Sequence, residues 1–379
     1  MLLSILPKSR WARLLLSSWA LSLAGPALAA DAIVVGRSLP LTGPLKSYGE
    51  AKRDGADAYI RKVNAAGGIG GRPVELVTLD DAYQPPRTVE NLRKIAAERQ
   101  PTAFLGLFGV PTVAAALPVV EELKVPAVGL TSGTDAVRTP HRRYVFPVRA
   151  SYADEARKLV GHVKVVNITR ISVLFTDNPF GKSVKDSLLA ALRQQGLDAR
   201  PVQLDATAKD AAAAVRTAIA SDPQAVFLTM LSQAAVPVLK ELRASGFRGS
   251  LYTFSPVDTS TITKEMGQDA RGLAITQIVP IPTGSRIKVV AEYVKALAEL
   301  NPAASPSFYG LEAFIEAKVL VEGLRRSGPG VTPGALVNTL ETLNDLDVGG
   351  YYVRYKPGEH AGSSFVEIDV IDSKGAVMR

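Results

Sequence analysis

The sequence predicts an α/β protein of two lobes, each a doubly wound parallel sheet covered by helices. Short runs of β-branched and aromatic residues alternate with helical patterns along almost the whole chain. The alternation restarts after a bridging segment at 143–149. Successive β-α-β units are typical of a parallel sheet with helices on both faces. A chain of 379 residues is long enough to bury two such cores.

The first series of units runs from residue 33 to residue 129. Its opening helix places Ala51, Ala58 and Val63 near one face. We predict strands at 33–38, 73–79, 103–107 and 126–129, with helices at 48–66, 86–98 and 112–123 between them.

The second series begins with a helix and repeats the same rhythm. We predict helices at 152–165, 181–194, 210–220 and 234–245, and strands at 170–175, 199–204, 225–228 and 250–254. Two long helices at 287–300 and 309–326 follow, then strands at 351–355 and 364–371. Since no segment has the composition of a linker, we expect several chain crossings between the lobes rather than one tether.

Residues 64–71, Asn-Ala-Ala-Gly-Gly-Ile-Gly-Gly, form the most distinctive segment of the chain. A dinucleotide-binding loop leaves a strand and opens a helix, whereas this segment leaves a helix and opens a strand. The order therefore disfavours a phosphate loop. It indicates a turn in which Gly67 and Gly68 end the helix at positive φ.

The first 30 residues have the features of a secretory signal. Three basic residues precede an apolar run at 14–23, and Ala27-Leu28-Ala29 is typical of a cleavage site. The apolar run is shorter than the ~20 residues that a membrane span needs. We predict cleavage near Ala30 and a periplasmic protein that starts at Asp31.

The composition excludes several classes of function. The chain has no cysteine, which rules out thiol catalysis and thiolate metal sites. Without the signal the formal net charge falls from +8 to +5, and no basic block with aromatic residues is present, so nucleic acid is not expected. We expect no cofactor and a monomer.

The candidate ligand-binding residues follow the predicted strands. In open α/β sheets, ligands bind beyond the carboxyl ends of the strands. The loops there are rich in Gly, Ser and Thr, although the same residue types are common helix N-caps. The candidates from these loops are Tyr48, Gly109, Val110, Thr112, Thr131, Ser132, Gly133, Phe180, Ser232 and Asp258.

Several motifs in this order resemble those of the periplasmic solute-binding proteins of the Leu/Ile/Val-binding family, the receptors of ABC importers. They are Pro40-Leu-Thr-Gly-Pro44, Tyr48-Gly49, Gly55-Ala56, the segment 64–71, Asp80-Asp81, Leu105-Gly-Leu-Phe-Gly109, Val125-Pro126 and Asp177-Asn-Pro-Phe-Gly181. The resemblance implies a type I binding-protein fold, with two lobes that are joined by three hinge crossovers and close on a ligand. It places lobe one at 31–148 plus 279–348 and lobe two at 149–278 plus 349–379. It also implies a membrane permease as partner.

The resemblance assigns roles to some candidates. The loops at 109–112 and 131–133 would hold the carboxylate and ammonium of the ligand, Phe180 would cover it, and Asp258 would meet the ammonium. Pro111 departs from the family pattern because it has no N–H to donate. Phe180 also departs from it, because it stands where Tyr is frequent.

The ligand expected from the resemblance is an aliphatic or branched-chain amino acid. A small carboxylate or an amide is the alternative. For Arg149, at the hinge, pairing with a ligand carboxylate and a hinge salt bridge remain open.

Other classes of function have less support. His141, His162 and His360 are far apart in sequence, no Ser/His/Asp arrangement is evident, and no cluster of metal ligands is visible. Asp80-Asp81 is more typical of a turn or of loop support than of a catalytic pair. We therefore expect a protein that is not an enzyme, with a soluble periplasmic ligand sensor as the alternative to a transport receptor.

Overall fold

The computed structural model describes residues 31–284 and 286–378, so the predicted signal segment lies outside the described residues. The first part of the chain contains β1 (Ile33–Leu39), α1 (Lys46–Ala65), β2 (Val74–Asp80), α2 (Pro85–Arg99), β3 (Ala103–Phe108), α3 (Val110–Leu123), β4 (Ala127–Thr131), a 3₁₀ turn (Asp135–Val137) and β5 (Val145–Phe146).

The middle part contains α4 (Tyr152–Val165), β6 (Ile171–Thr176), α5 (Pro179–Gln194), β7 (Arg200–Leu204), α6 (Ala211–Ile219), β8 (Ala225–Thr229), α7 (Ser232–Ala244), β9 (Ser250–Thr253), α8 (Thr259–Met266), a second 3₁₀ turn (Gly267–Ala270) and β10 (Leu273–Gln277). The last part contains α9 (Lys288–Leu300), α10 (Phe308–Ser327), α11 (Pro333–Leu340), β11 (Asn344–Asp347), β12 (Tyr352–Lys356), β13 (Glu359–Gly362), β14 (Glu367–Ile371) and β15 (Val377–Met378).

The first lobe is built on a parallel sheet with the strand order β2-β1-β3-β4-β5. Side chains that alternate along the strands enter two cores, as the period of a strand requires. Val35, Leu105 and Val128 pack with α1, α9 and α10, whereas Phe104 and Leu130 pack with α2 and α3. The sheet is therefore covered on both faces.

The second lobe repeats this plan with the strand order β15-β14-β10-β9-β8-β6-β7. The strands from β10 to β7 are parallel, and β14 and β15 join antiparallel at one edge. Helices α4 and α5 cover one face, and α6, α7 and α8 cover the other. The two sheets confirm the predicted α/β class of two doubly wound lobes.

A third sheet of three antiparallel strands, β11-β12-β13, packs at the hinge. Its buried residues Val353 and Tyr355 belong to the first-lobe core. The Tyr351 hydroxyl donates to the Ile278 carbonyl at 3.1 Å, and the Tyr355 hydroxyl donates to the Pro147 carbonyl at 2.9 Å. The return of the chain to lobe two at residue 349 stays a prediction. Because β12 packs with the first-lobe core and β14 belongs to the second-lobe sheet, the structure favours a third crossing between β13 and β14.

The glycine-rich segment is a turn, as its order between helix and strand predicts. Gly67 and Gly68 have φ of 93° and 74°, and the Gly68 N–H donates to the Val63 carbonyl at 3.0 Å. A Cβ on Gly68 would lie 2.1 Å from the Arg72 carbonyl oxygen. The segment therefore ends α1 and leads into β2.

Sequence patterns missed several elements. β10, α8 and α11 were not predicted, and neither were the short strands β11, β13 and β15. Helices α8 and α11 have eight residues each, too few for a clear helical period. In the part of the chain that the structure describes, no helix is long and apolar enough to cross a membrane.

A buried network of charges joins the lobes through the hinge. The Lys52 ammonium of α1 lies 2.7 Å from a Glu316 oxygen and 3.6 Å from a Glu312 oxygen, both on α10. The Arg149 guanidinium lies 3.6 Å from Glu312 and 3.1 Å from Glu155 of α4 in the second lobe. All five side chains are almost fully buried, so each charge depends on its partners in place of water.

The first sheet makes room for Glu316. Gly129 in β4 has φ of 69°, and a Cβ there would lie 2.4 Å from Cγ of Glu316. Burial raises the pKa of the Glu316 carboxyl to about 7, because the loss of water outweighs the attraction of the Lys52 ammonium. Protonation of Glu316 leaves two positive and two negative charges in the network.

We expect Glu316→Gln to change how stability depends on pH. A carboxyl with a higher pKa in the folded chain stabilises most below its unfolded pKa, and that contribution falls as pH rises to about 7. The free energy of unfolding of the wild type minus that of the variant should therefore fall between roughly pH 4.5 and pH 7, and level off above roughly pH 8. Urea unfolding over this range measures it.

Glu322→Gln is the matched control, since Glu322 lies on the same helix but is partly exposed and pairs with Arg326. The unfolding free energy of the wild type minus that of Glu322→Gln should not fall over this pH range. If the unfolding free energies of the wild type and Glu316→Gln differed by a constant amount across the same pH range, the raised pKa of Glu316 would be contradicted.

Candidate functional site

The strand-end loops of the two lobes meet face to face. The Tyr152 N–H donates to the Gly133 carbonyl at 2.8 Å, and the Gln233 side chain donates to the Pro44 carbonyl at 3.1 Å. The Tyr309 hydroxyl donates to the Pro256 carbonyl at 2.9 Å. The lobes are thus in direct contact at the edge where the carboxyl ends of the strands lie.

Three of the predicted site residues form one hydrogen-bonded chain across this boundary. The hydroxyl of Tyr48, on α1 of the first lobe, donates to Oγ of Ser232 at 2.8 Å. Ser232 opens α7 of the second lobe, and the Asp258 N–H donates to the same Oγ at 2.8 Å. Burial raises the pKa of Tyr48, so its hydroxyl keeps its proton and remains a donor.

The carboxylate of Asp258 caps helix α8. Its Oδ2 accepts the Thr261 N–H at 3.0 Å, the Ser260 hydroxyl at 2.6 Å and the Thr261 hydroxyl at 2.7 Å. Satisfaction of free N–H groups at a helix start is the ordinary role of Asp at this position. Asp258 was expected to meet the ammonium group of a ligand, but its Oδ2 already accepts three hydrogen bonds within the protein.

The end of β4 presents two buried hydroxyls. Thr131 and Ser132 are 5% and 0% exposed, and within the described residues neither hydroxyl has a hydrogen-bond partner. Buried hydroxyls in proteins are nearly always paired with protein, water or a ligand, so these two are available to a bound molecule. The Thr112 hydroxyl differs, because it donates to the Phe108 carbonyl.

The turn from β3 into α3 brings the remaining first-lobe candidates beside β4. Gly109 has φ of 91°, and its N–H donates to the Thr131 carbonyl at 3.0 Å. Val110 packs against the second-lobe cluster that contains Tyr152 and Phe180. Pro111 lies in the first turn of α3, where a helix has free N–H groups, and supplies none.

Aromatic rings form the walls around these loops. Tyr48, Phe108 and Tyr309 share one cluster, with 4.8 Å between the ring centroids of Tyr48 and Tyr309. In the second lobe, the ring of Phe180 packs edge-on against Tyr152 at 5.9 Å. Burial raises the pKa of Tyr152 to about 12. The site thus combines an apolar wall with a few polar groups, as small-molecule sites do.

A family model described as periplasmic binding protein matches residues 32–372. The chain belongs to the periplasmic binding protein family. An amino acid binding protein of Pseudomonas aeruginosa is 25% identical over 302 residues, which cover 78% of this chain and 79% of that protein. Leu/Ile/Val-binding protein homolog 3 of Brucella melitensis is 24% identical over 341 residues, which cover 88% and 90% of the two chains.

A solved structure of a substrate-binding periplasmic protein from Ralstonia solanacearum has 31% identity and a TM-score of 0.85. The match covers 91% of this binding protein and 99% of that chain. Together these findings confirm the resemblance to the Leu/Ile/Val-binding proteins and the type I fold that it implies.

The predicted site residues do not include four aromatic residues that line the candidate site: Tyr83, Phe108, Tyr152 and Tyr309. Tyr83 lies three residues after β2, and its ring centroid is 6.0 Å from that of Phe108. The strand-end rule that selected the other loops also selects the loop after β2, which was not among the candidates. The position of Tyr83 after a predicted strand could therefore have identified it from the sequence.

Asp80 and Asp81 support these loops, in agreement with the loop-support alternative. Asp80 Oδ1 accepts the N–H groups of Leu41 and Thr42 at 2.8 and 3.1 Å. Asp81 accepts the Ser38 hydroxyl at 2.8 Å and the Tyr83 N–H at 2.9 Å. Burial raises the pKa of Asp81, whereas that of Asp80 is lowered because its hydrogen bonds outweigh burial.

Of the two alternatives for Arg149, the structure shows the salt bridge at the hinge. Its guanidinium donates to the Ser255 hydroxyl at 2.5 Å and lies between Glu155 and Glu312. A cavity of about 10 Å³ beside it is lined by Ser255, Gln277 and Glu312, among others. A far larger cavity of about 730 Å³ is lined mainly by residues of β12, β13 and the segments that flank them. The unpaired hydroxyls and the contact between lobes favour the strand-end loops as the site.

We expect Thr131→Val to leave the unfolding free energy of the ligand-free binding protein unchanged, or to raise it by up to about 1 kcal/mol, because the lost hydroxyl has no partner. Thr253→Val is the matched control, since its hydroxyl donates to the Leu228 carbonyl at 2.9 Å and its loss should cost about 1 kcal/mol. Urea unfolding measures both. A cost for Thr131→Val as large as that of the control would show that its hydroxyl is already satisfied.

Proposed function

We propose that this protein is the substrate-binding receptor of an ABC importer in the periplasm, after cleavage near Ala30. It captures a small polar solute between two closing lobes and delivers it to a membrane permease. The leading ligand class is an aliphatic or branched-chain amino acid. The names of the Pseudomonas and Brucella relatives support amino acids as the ligand class.

The observation that carries the proposal is the pair of unpartnered hydroxyls on Thr131 and Ser132, at the end of β4 where Thr131 pairs with Phe108 of the aromatic cluster. Hydroxyl donors suit a carboxylate, because a hydrogen bond to a charged group is stronger than one to a neutral group. The rings of Tyr48, Phe108 and Phe180 suit an apolar side chain. A ligand with one anionic end and one apolar end satisfies both.

A small carboxylate or an amide is the second candidate. Asp258 Oδ2 already accepts three hydrogen bonds, which leaves less capacity for an ammonium group than the family pattern implies. A ligand without an ammonium group needs no such partner. A soluble sensor with the same site is the alternative role.

We also propose that the protein catalyses no reaction. Asp80 and Asp81, the adjacent acidic pair of the strand-end loops, each accept several hydrogen bonds from the loops that they hold. Engaged carboxylates of this kind support structure. The expected outcome is that a bound ligand is recovered unchanged.

A thermal-shift screen over amino acids, small carboxylates and amides tests the ligand class. A ligand that binds the folded state alone raises the melting temperature. We expect branched-chain amino acids to give the largest shift and calorimetry to give one site per chain. Shifts from carboxylates without an ammonium group, and none from amino acids, would support the second candidate.

Closure and transport need their own measurements. Small-angle scattering should show compaction at saturating ligand, since contacts from both lobes coexist only in the closed form. Loss of uptake of the labelled ligand in cells lacking the gene would support an import receptor. Unchanged uptake would favour a sensor.

We expect Phe180→Ala to weaken binding of the best ligand by about 1–3 kcal/mol through lost apolar burial. Phe247→Ala is the control, because Phe247 packs against the second-lobe core on the side of α7 and α8. Calorimetric affinity is the measurement, and the control variant should bind as the wild type does. An unchanged affinity for Phe180→Ala would remove Phe180 from the site.

A further inference from the structure

A cluster of metal-ligating side chains lies outside the site described above. His141 belongs to the loop before β5, Glu341 follows α11 and His360 lies in β13. These residues are distant in sequence, yet one donor atom of each lies within 4.8 Å of those of the other two. The sequence shows no cluster of metal ligands because these three residues come together only in the fold.

The cluster is remote from the strand-end loops. Val145 pairs with Ala127 at the start of β4, whereas Thr131 ends that strand. The cluster thus sits at the amino-terminal edge of the first sheet, and the candidate ligand site sits at the carboxyl edge. The two sites can be tested independently.

The ring of His360 is oriented for coordination. Its Nδ1 lies 2.7 Å from the Val145 carbonyl oxygen. Because a carbonyl oxygen only accepts, Nδ1 carries a hydrogen, which leaves Nε2 as the ring nitrogen that can bind a metal when the ring is neutral. A histidine that binds a metal almost always donates its other ring N–H to such an acceptor, which fixes the orientation of the ring.

Nε2 of His360 faces a carboxylate. Nε2 lies 3.2 Å from Oε1 of Glu341. Two atoms bound to one tetrahedral zinc at about 2.0–2.1 Å are roughly 3.3 Å apart. The observed separation therefore suits a shared cation with little movement of either side chain.

The three ligands differ in how far packing fixes them, from the buried His360 to the exposed His141. The buried His360 ring stacks on Phe146 with 3.9 Å between the centroids and 19° between the planes. Glu341 is partly buried, and His141 is exposed with its ring centroid 4.6 Å from that of His360. An exposed third ligand can complete the site by a side-chain rotation, and a fourth position stays open to solvent.

We propose that His141, Glu341 and His360 bind one divalent transition-metal ion, of which zinc is the representative. Two imidazoles and one carboxylate suit Zn²⁺, and Ni²⁺ or Cu²⁺ to a comparable degree, better than Mg²⁺ or Ca²⁺, which prefer oxygen ligands. The ion ties the loop that contains His141 and the end of α11 to the three-stranded sheet. It adds a structural cross-link to a chain that has no cysteine for a disulfide.

The test uses the mature full-length chain without a histidine tag, stripped with EDTA and titrated with ZnCl₂ in a calorimeter. The protein offers three histidines and no cysteine, so few competing donors exist. We expect one saturable site per chain. Zinc should raise the melting temperature, and Mg²⁺ at the same concentration should not.

Variants assign the site. His141→Ala changes an exposed side chain and should weaken zinc binding at least about tenfold while the fold is retained, and Glu341→Gln should do the same. His162→Ala is the matched control, because His162 is the remaining histidine, is exposed and lies on α4 of the other lobe. Its zinc binding should equal that of the wild type.

Several outcomes would overturn the proposal. Absence of saturable zinc binding would leave the Glu341–His360 contact as a hydrogen bond without a metal. Equal zinc affinity in the wild type and in His141→Ala would exclude the three-ligand site. Loss of binding in His162→Ala would place the zinc elsewhere.

Discussion

The buried ion pairs of Arg149 are the interaction on which the arrangement of the two lobes depends. The guanidinium lies at the hinge and pairs with Glu155 of one lobe and Glu312 of the other. Because these charges have lost their water, removal of one partner leaves another uncompensated. The network extends through Glu312 to Lys52 and Glu316, and the first sheet carries Gly129 where Glu316 needs space. The hinge therefore constrains both lobes.

With the lobes held in this way, their strand ends meet at the candidate site. The Tyr48–Ser232 hydrogen bond spans the boundary, and the unpartnered Thr131 and Ser132 hydroxyls lie on the first-lobe side. A second consequence of the same packing appears at the opposite edge of the first sheet. There the three-stranded sheet brings His360 against β5, where it meets Glu341 and His141.

Most of the architecture was predictable because its signals are local. Long helices and buried strands carry clear hydrophobic periods, and the strand-end rule selected Tyr48, Thr131 and Phe180, which lie in or beside the contact between the lobes. Helix α8 was not predicted because eight residues carry too little hydrophobic periodicity. Tyr83 was not predicted because it lies in the loop after β2, and no candidate was taken from that loop. The interpretation of Asp258 followed the family pattern, which does not reveal that its carboxylate caps the next helix.

The sequence by itself determined the two-lobe α/β class, the family and the glycine turn at 67–68, since each depends on residues that are close along the chain. The tertiary structure alone decided which groups are engaged and which are free. Arg149 meets Glu312 across 163 positions of the numbering, and His141 meets His360 across 219. Such pairings depend on how the elements pack together, and no local pattern encodes the partner of a buried charge or of a metal ligand.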